Sequence, residues 1–109
     1  MGYRVWFWRP AAVAPGAAGL SDEQVAGALG MRDWRCVAPA AELADFRRDV
    51  LASDPDWRRM SLLPRPGSPE PADRYLALDF SRRPGADQLR DLRYIAARNR
   101  LRMYDPQAR

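Results

Sequence analysis

The stretch of sequence that decides the fold class is residues 75–104, YLALDFSRRPGADQLRDLRYIAARNRLRMY. Residues 75–80 alternate in side-chain direction as a strand does, and residues 101–104 predict a second, closing strand. A helix that runs to about Arg98 is predicted between them, because four apolar residues recur there at helical spacing: Leu89, Leu92, Ile95 and Ala96. We therefore expect a βαβ unit with parallel strands and a right-handed crossover.

Two further strands are predicted nearer the start of the chain. Residues 3–9 alternate in side-chain direction, with Trp6 and Trp8 on the same face, and both faces carry aromatic bulk. This strand is expected either to be covered on both sides or to present the two tryptophans to a partner. Residues 34–37 are largely apolar and predict a shorter strand.

Two more helices are predicted before the unit at 75–104. The first begins at Ser21, whose spacing from Gln24 predicts a capping box, and it ends at Gly30, a natural left-handed cap. In the helix of the βαβ unit, Asn99 is the expected left-handed cap. The remaining helix is predicted by the spacing of three apolar residues, Leu43, Phe46 and Val50.

The order of these elements predicts one small α/β (α+β) domain that spans residues 1–109. Strands that alternate with helices indicate one mixed sheet of three to four strands with about three helices packed against it. We favour a two-layer sandwich, with a small three-layer arrangement as the alternative. Residues 57–74 contain four prolines and predict an irregular Pro-rich loop inside the domain, or a segment that a polyproline-binding partner recognises.

Composition places the chain among globular proteins and excludes most catalytic templates. Of its residues, 47% are apolar and 29% are charged, as is usual for a folded domain. The chain has no histidine and no lysine, which removes the commonest general base and the lysine-containing phosphate loop. A zinc site built from cysteines needs more than one of them, and this chain has only Cys36. Cys36 is therefore expected to be a small core residue. The sequence therefore predicts a non-enzymatic protein with no metal and no cofactor.

The same features predict where the protein resides. No run of the chain approaches the roughly 20 apolar residues that a helix needs to cross a bilayer, so no membrane association is expected. The opening MGYRVWFWRP lacks the charged start and apolar stretch of a signal peptide. Together with the single cysteine, this favours the cytoplasm.

One pair of carboxylates suggests a metal site. Asp79 and Asp105 each lie near the carboxyl end of a predicted strand, where open α/β sheets place their ligands, so the two could hold Mg²⁺ between them. Aspartates at strand ends also commonly form turns or ion pairs. Arg82 and Arg83 are close enough in sequence to neutralise Asp79.

The net charge of +4 is carried by 18 basic residues, all of them arginine. A basic stripe along the third helix and the turn before it would suit a phosphate backbone, which makes a small nucleic-acid-binding domain one candidate function. The alternative is a solvated face in which Asp87 pairs with Arg90, in a chain whose arginine content reflects GC-rich coding. The arginines of this stripe are Arg82, Arg83, Arg90, Arg93 and Arg100.

The two ends of the chain carry short aromatic motifs. Residues 3–8, YRVWFW, are a tyrosine-led strand that ends in aromatic residues, and residues 101–107, LRMYDPQ, end in Tyr-Asp-Pro-Gln. In these two segments the chain resembles small uncharacterised bacterial proteins, some of which are believed to be immunity proteins for interbacterial toxins. The resemblance implies a protein that binds a toxin tightly and occludes its active site without catalysis.

The resemblance also implies a set of anchor residues. Tryptophan, tyrosine and arginine are enriched at the energetic centres of protein interfaces. A basic inhibitor would suit a partner with an acidic surface. The expected partner-binding residues are Trp6, Trp8, Arg82, Arg83, Arg90, Arg93, Arg100 and Tyr104.

Overall fold

The described part of the chain folds into one four-stranded sheet and three helices. The computed structural model describes residues 3–9, 21–34, 37, 39–53, 60–65, 67–70 and 72–106, so Cys36 and Gln107 lie outside the described residues. The α+β class and the three predicted helices are confirmed. In chain order the elements are β1 (Tyr3–Trp8), α1 (Asp22–Gly30), α2 (Glu42–Ser53), β2 (Ser61–Leu63), β3 (Leu76–Phe80), α3 (Ala86–Arg98) and β4 (Arg102–Tyr104).

The strand order is not that of a simple βαβ unit. It is β2-β3-β1-β4, and every neighbouring pair of these described strands is antiparallel, so the expectation of a mixed sheet is wrong. β3 and β4 run in the same direction, as expected, but β1 lies between them and hydrogen-bonds to both. The pattern within residues 75–104 indicates the direction of its own two strands and contains no information about a third strand that separates them.

One face of the sheet, the closed face, is covered by α2 and α3. The two central strands contribute six side chains to it: Tyr3, Val5, Phe7, Leu76, Leu78 and Phe80. The helices contribute the apolar residues that their spacing predicts: Leu43, Phe46 and Val50 from α2, and Leu92, Ile95 and Ala96 from α3. Leu89 is only partly buried and packs at the margin. This face contains the larger hydrophobic core of the protein.

Of the described elements, α1 covers part of the opposite face, which we call the α1 face. Trp8 and Ala77 point to this side, where they pack with Val25, Ala26 and Leu29 of α1. Helices therefore lie on both sides of the sheet, so the arrangement has three layers and the two-layer expectation is wrong. The reason is that β1 carries large apolar side chains on both faces, and each face needs a cover.

Two helices begin with side-chain caps. The Ser21 hydroxyl accepts a hydrogen bond from the Gln24 N–H at 3.2 Å, and the Gln24 side chain accepts one from the Ser21 N–H at 2.8 Å, which confirms the capping box. Before α3, the Gln88 side chain accepts from the Gly85 N–H at 3.0 Å. With 13 residues α3 is the longest described helix, and none of the described helices has the length and apolar character needed to cross a bilayer.

The ends of α1 and α3 share a geometry that the sequence did not predict. Gly30 is still helical and Asn99 has φ of −94°, so neither is the expected left-handed cap. The left-handed residues are Arg32 and Arg100, each with φ of 60°. At both ends the following N–H donates to a carbonyl of the last helical turn, as in a Schellman motif: Asp33 to Ala28 at 2.9 Å, and Leu101 to Ala96 at 2.9 Å.

Residues 57–74 contain a strand, contrary to the prediction of an irregular loop. β2 pairs with β3 and forms one edge of the sheet. The four prolines of this stretch all follow the strand, and their abundance favoured the prediction of a loop. Farther along, the Ser68 N–H donates to the Arg65 carbonyl at 3.0 Å and Gly67 has φ of 83°, so the chain turns there and is not an extended polyproline segment.

Both edges of the sheet are short. β2 and β4 are three residues each. Pro64 directly follows β2, and Pro106 comes two residues after β4. Because proline has no backbone N–H, neither edge strand can be extended far at its carboxyl end with a continuous ladder of donors.

Candidate protein-interaction surface

Four planar side chains lie one against the next on the α1 face. We call them the aromatic stack, although the first is a guanidinium: Arg4, Trp6, Tyr75 and Trp34. The Arg4 guanidinium lies 5.6 Å from the centre of the Trp6 ring, and the Trp6 ring lies 5.9 Å from that of Tyr75. The Tyr75 ring stacks on Trp34 at 5.1 Å with an interplanar angle of only 10°. Tyr75 is buried, whereas Trp6 and Trp34 are half-buried and the Arg4 side chain is 43% exposed.

Three separate segments bring the stack together. Trp6 comes from β1 and lies opposite the small residue Ala77 of β3, which leaves room above the sheet for aromatic rings. Tyr75 precedes β3, and Trp34 follows α1. Residues 34–37 were expected to be a strand, but Trp34 and Val37, the two described residues of that stretch, are not in one. The Arg74 side chain instead holds this segment, since it donates to the carbonyls of Trp34 at 3.3 Å and Val37 at 3.0 Å.

Three described arginines of this face are paired with carboxylates, whereas Arg74 donates to backbone carbonyls. Arg4 pairs with Asp79 at 3.6 Å, and these two residues also lie opposite each other in the sheet. Arg32 pairs with Glu70 at 3.4 Å. At the far side of the same face, Arg102 of β4 pairs with Asp22 of α1 at 2.7 Å. The described rim of this surface therefore carries charges of both signs, several of them in ion pairs.

Tyr75 links the stack to this rim. Its hydroxyl donates to Glu70 at 3.1 Å. Burial raises the pKa of Tyr75 to about 12, and the adjacent Glu70 carboxylate adds to the rise, while the nearby guanidinium groups of Arg4 and Arg32 oppose it. The hydroxyl consequently stays protonated at neutral pH and remains a hydrogen-bond donor.

This surface combines a half-exposed aromatic ring with charged pairs at its rim. A half-buried tryptophan ring with paired charges around it can bury apolar surface of a partner while the rim remains hydrated. Gly30 lies against the Trp6 ring, since a Cβ at Gly30 would be 3.9 Å from its Cζ2 atom. The next residue, Met31, is 85% exposed, which adds a flexible apolar side chain at the end of α1.

The structure brings together only two of the predicted partner-binding residues. Trp6 lies directly opposite Tyr104 of β4, on the same face of the sheet, and both are half-buried. The prediction for Trp8 is wrong, because its side chain is only 2% exposed and is enclosed beneath α1. A side chain in that position stabilises the fold and is not accessible to a partner.

The predicted arginines lie elsewhere. α3 covers the closed face, so Arg90 and Arg93 are in the layer opposite Trp6. Arg90 pairs with Asp87 at 3.1 Å, as expected for a solvated helix face. The Arg83 guanidinium lies 5.9 Å from the centre of the Tyr3 ring. The other three, Arg82, Arg93 and Arg100, are exposed and form no ion pair with another described residue.

Asp79 and Asp105 cannot hold a common cation. Asp79 points to the α1 face, where it pairs with Arg4. Asp105 is buried and accepts a hydrogen bond from the hydroxyl of Tyr3, whose ring is on the closed face. Burial raises the pKa of Tyr3 to about 12, with Asp105 adding to the rise and Arg83 opposing it. Within the described ranges, no three acidic, histidine or cysteine side chains come close enough together to bind a metal.

A concave feature lies between α2 and α3. It is an open cleft of about 230 Å³, lined by Asp49, Ser53, Asp91, Tyr94, Ile95 and Arg98. Asp49 is already engaged, because Arg98 and Asn99 each donate to its carboxylate at 3.0 Å. These hydrogen bonds lower the pKa of Asp49 below its usual value. The cleft is thus spanned by contacts that join the two helices.

Several members of this surface could not be identified from the sequence. Arg32, Glu70 and Tyr75 received no functional role, because each belongs to a different segment and none is part of a local motif. The one available signal was the abundance of tryptophan near both β1 and α1. The chain was compared with protein-family models, curated proteins and solved structures, and no match was found in any of the three comparisons. The resemblance to immunity proteins stays a prediction.

Proposed function

We propose that this protein is a protein-binding module whose contact surface is centred on Trp6 and Tyr104. The observation that supports this most is the half-buried Trp6 ring, which lies on a sheet face that α1 leaves partly uncovered. Large aromatic side chains in such positions often contribute most of the binding energy of an interface. The buried Tyr75 ring packs against Trp6, and the half-buried Trp34 ring stacks in turn on Tyr75.

The more specific form of the proposal is an immunity-type inhibitor that occludes the active site of a toxin in the cytoplasm. It is motivated by the terminal motifs and by the absence of histidine from the sequence, since occlusion needs no catalytic residue. Trp6 would fill an apolar depression near the active site of the toxin. The paired charges of Arg4 with Asp79 and of Arg32 with Glu70 would lie at the margin of the contact.

The first experiment is to capture a partner and measure the effect of Trp6→Ala. The partner comes from native lysate, or from a toxin encoded next to this gene if there is one. Trp6→Ala is expected to weaken binding at least 10-fold, because it removes the central ring. Tyr94→Ala is the matched control, since Tyr94 is an aromatic residue that is 68% exposed on the opposite layer. Equal affinity of both variants and wild type would exclude this surface.

Salt dependence tests the chemistry of the same contact. Because the rim cations are paired, the affinity is expected to change little between low and moderate ionic strength. A steep loss of affinity with salt would instead indicate that unpaired arginines mediate the contact. Inhibition of the toxin by wild type but not by Trp6→Ala is the expected result for the immunity-type form.

Nucleic-acid binding is a second candidate, favoured by the exposed arginines of α3 and its flanks. Arg82, Arg93 and Arg100 form no ion pair with another described residue, so they are available to phosphates. The test is a salt titration of binding to a labelled duplex. If this function is correct, Arg93→Ala should reduce the salt slope by about 1 and weaken all sequences alike. Absence of binding at low salt would exclude it.

A further inference from the structure

Arg32 occupies a backbone position that disfavours arginine. It follows the last turn of α1 with φ of 60°, a conformation that glycine adopts without steric cost and other residues adopt at some expense. Its side chain is 80% exposed, so no burial of apolar surface offsets that expense.

The Arg32 side chain makes one contact that leads directly to the aromatic stack. Its Nε lies 3.4 Å from one carboxylate oxygen of Glu70, Oε1. The other oxygen, Oε2, accepts the hydrogen bond from the Tyr75 hydroxyl at 3.1 Å. One carboxylate thus joins an exposed guanidinium to a tyrosine that is 4% exposed. The Tyr75 ring in turn contacts both Trp34 and Trp6.

Arg100 provides an internal comparison. It has the same φ of 60° and the same hydrogen-bonded cap after α3, but it forms no ion pair with another described residue. The two arginines therefore differ in what their side chains contact and not in their backbone. An exposed ion pair such as that of Arg32 with Glu70 contributes little to stability, because water competes for both charges.

We propose that Arg32 is a positioning residue for the aromatic stack. It orients the Glu70 carboxylate, which orients the Tyr75 hydroxyl and ring, and the ring sets the positions of Trp34 and Trp6. This inference rests on the proposed function, since the stack supports the surface that is proposed to bind a partner. The geometry of the stack can nevertheless be measured without any partner.

The experiment compares Arg32→Gly with Arg100→Gly in the full chain. Both substitutions place glycine at a left-handed position, so both are expected to fold and to be at least as stable as wild type. Only Arg32→Gly removes the ion pair to Glu70. The readout is the indole N–H resonance of each tryptophan in a two-dimensional NMR spectrum. Arg32→Gly is expected to shift the resonances of Trp6 and Trp34 and to leave that of buried Trp8 in place.

Two further variants separate positioning from a structural effect. Arg32→Lys keeps a cation at this site and is expected to restore the resonances of Trp6 and Trp34. In a Tyr75→Phe background, which lacks the hydroxyl, Arg32→Gly is expected to cause no further shift, because the link is already broken. If the spectra of Arg32→Gly and Arg100→Gly both match wild type at Trp6 and Trp34, the proposal is overturned.

Affinity for a captured partner then tests the consequence for binding. Arg32→Gly is expected to raise the dissociation constant about 5-fold, with Arg100→Gly unchanged. If Trp6→Ala binds as wild type while the indole shifts occur as expected, the proposed function fails and the positioning role stands. If Trp6→Ala weakens binding but Arg32→Gly shifts no resonance, the positioning role fails and the proposed function stands.

Discussion

The two faces of the sheet are built from different chemistry. On the closed face, Phe7 packs on Phe46 with ring centres 4.5 Å apart, among aliphatic side chains that are almost fully buried. On the α1 face, the large side chains are tryptophan and tyrosine, and charged pairs surround them. The closed face excludes water, whereas the α1 face keeps several rings half-buried.

Under the proposed function, this difference assigns stability to the closed face and partner binding to the α1 face. Burial of apolar surface on the closed face supplies most of the stability, because that contribution grows with the area removed from water. The α1 face can then keep part of Trp6 exposed at a tolerable cost in stability. We expect substitutions on the two faces to have distinguishable effects on folding and on binding.

The largest expected effect is that of Phe46→Ala on the closed face. Phe46 is fully buried, so its truncation leaves a cavity, and the free energy of unfolding should fall by about 3–5 kcal/mol. Chemical denaturation measures this directly. Leu51→Ala on the same helix is the control, since Leu51 is 49% exposed and its truncation should change stability by less than about 0.5 kcal/mol. If both variants lowered the free energy of unfolding by similar amounts, α2 would not cover this face.

The next prediction compares two tryptophans of the same strand and the same face. Trp8→Ala should lower the free energy of unfolding by about 3–4 kcal/mol, because Trp8 is 2% exposed. Trp6→Ala should lower it by only about 1–2 kcal/mol, because part of its ring already contacts water. Chemical denaturation of both variants measures the two losses in the free energy of unfolding, and partner binding is measured for Trp6→Ala. A larger loss of stability for Trp6→Ala would identify it as a core residue.

A third prediction concerns alkaline pH and involves one tyrosine on each face. Burial and a neighbouring carboxylate raise the pKa of Tyr3 and of Tyr75 from 10.0 to about 12. Between pH 10 and 12 the tyrosines ionise in the unfolded chain but stay protonated in the folded one, so stability should fall across this range. Below pH 10 this contribution is fully present.

Denaturation midpoints measured as a function of pH test this prediction. Tyr3→Phe should remove the contribution of the closed face, and Tyr75→Phe that of the α1 face, so each should flatten the loss between pH 10 and 12. An equally steep loss in the double variant would show that other groups cause the alkaline transition.

The smallest expected effect is that of Arg100→Gly after α3. Relief of the left-handed conformation favours the folded state, while glycine adds conformational freedom to the unfolded chain, so the net gain should be about 0.5 kcal/mol. Precise denaturant titration can resolve it. Asn99→Gly, one residue earlier at φ of −94°, is the control and should bring no gain.

The sequence predicted the elements with local signals and missed what depends on distant segments. The capping box at Ser21 and the apolar spacing of α2 and α3 require only neighbouring residues, and both are confirmed. β2 was missed because only its pairing with β3 defines it, and the prolines that follow it are typical of a loop. The parallel direction of β3 and β4 was predicted, but the insertion of β1 between them was not.

In the candidate site, too, local patterns identified some residues, and contacts between distant segments were missed. Trp6 was identified because aromatic residues alternate along its strand, yet the same alternation selected Trp8, which α1 covers. A pattern of side-chain direction shows which face a residue is on and cannot show whether a helix covers that position. The contacts of Arg32, Glu70 and Tyr75 join three segments, and no spacing rule connects them.

The short edge strands have a consequence for how copies of this protein behave at high concentration. An edge with three residues, followed closely by proline, offers a neighbouring chain too few backbone groups for strand-to-strand polymerisation. Short, proline-flanked edges are one of the means by which native proteins disfavour edge-to-edge association. For an inhibitor that must always be present in excess over its target, that property would be as necessary as affinity.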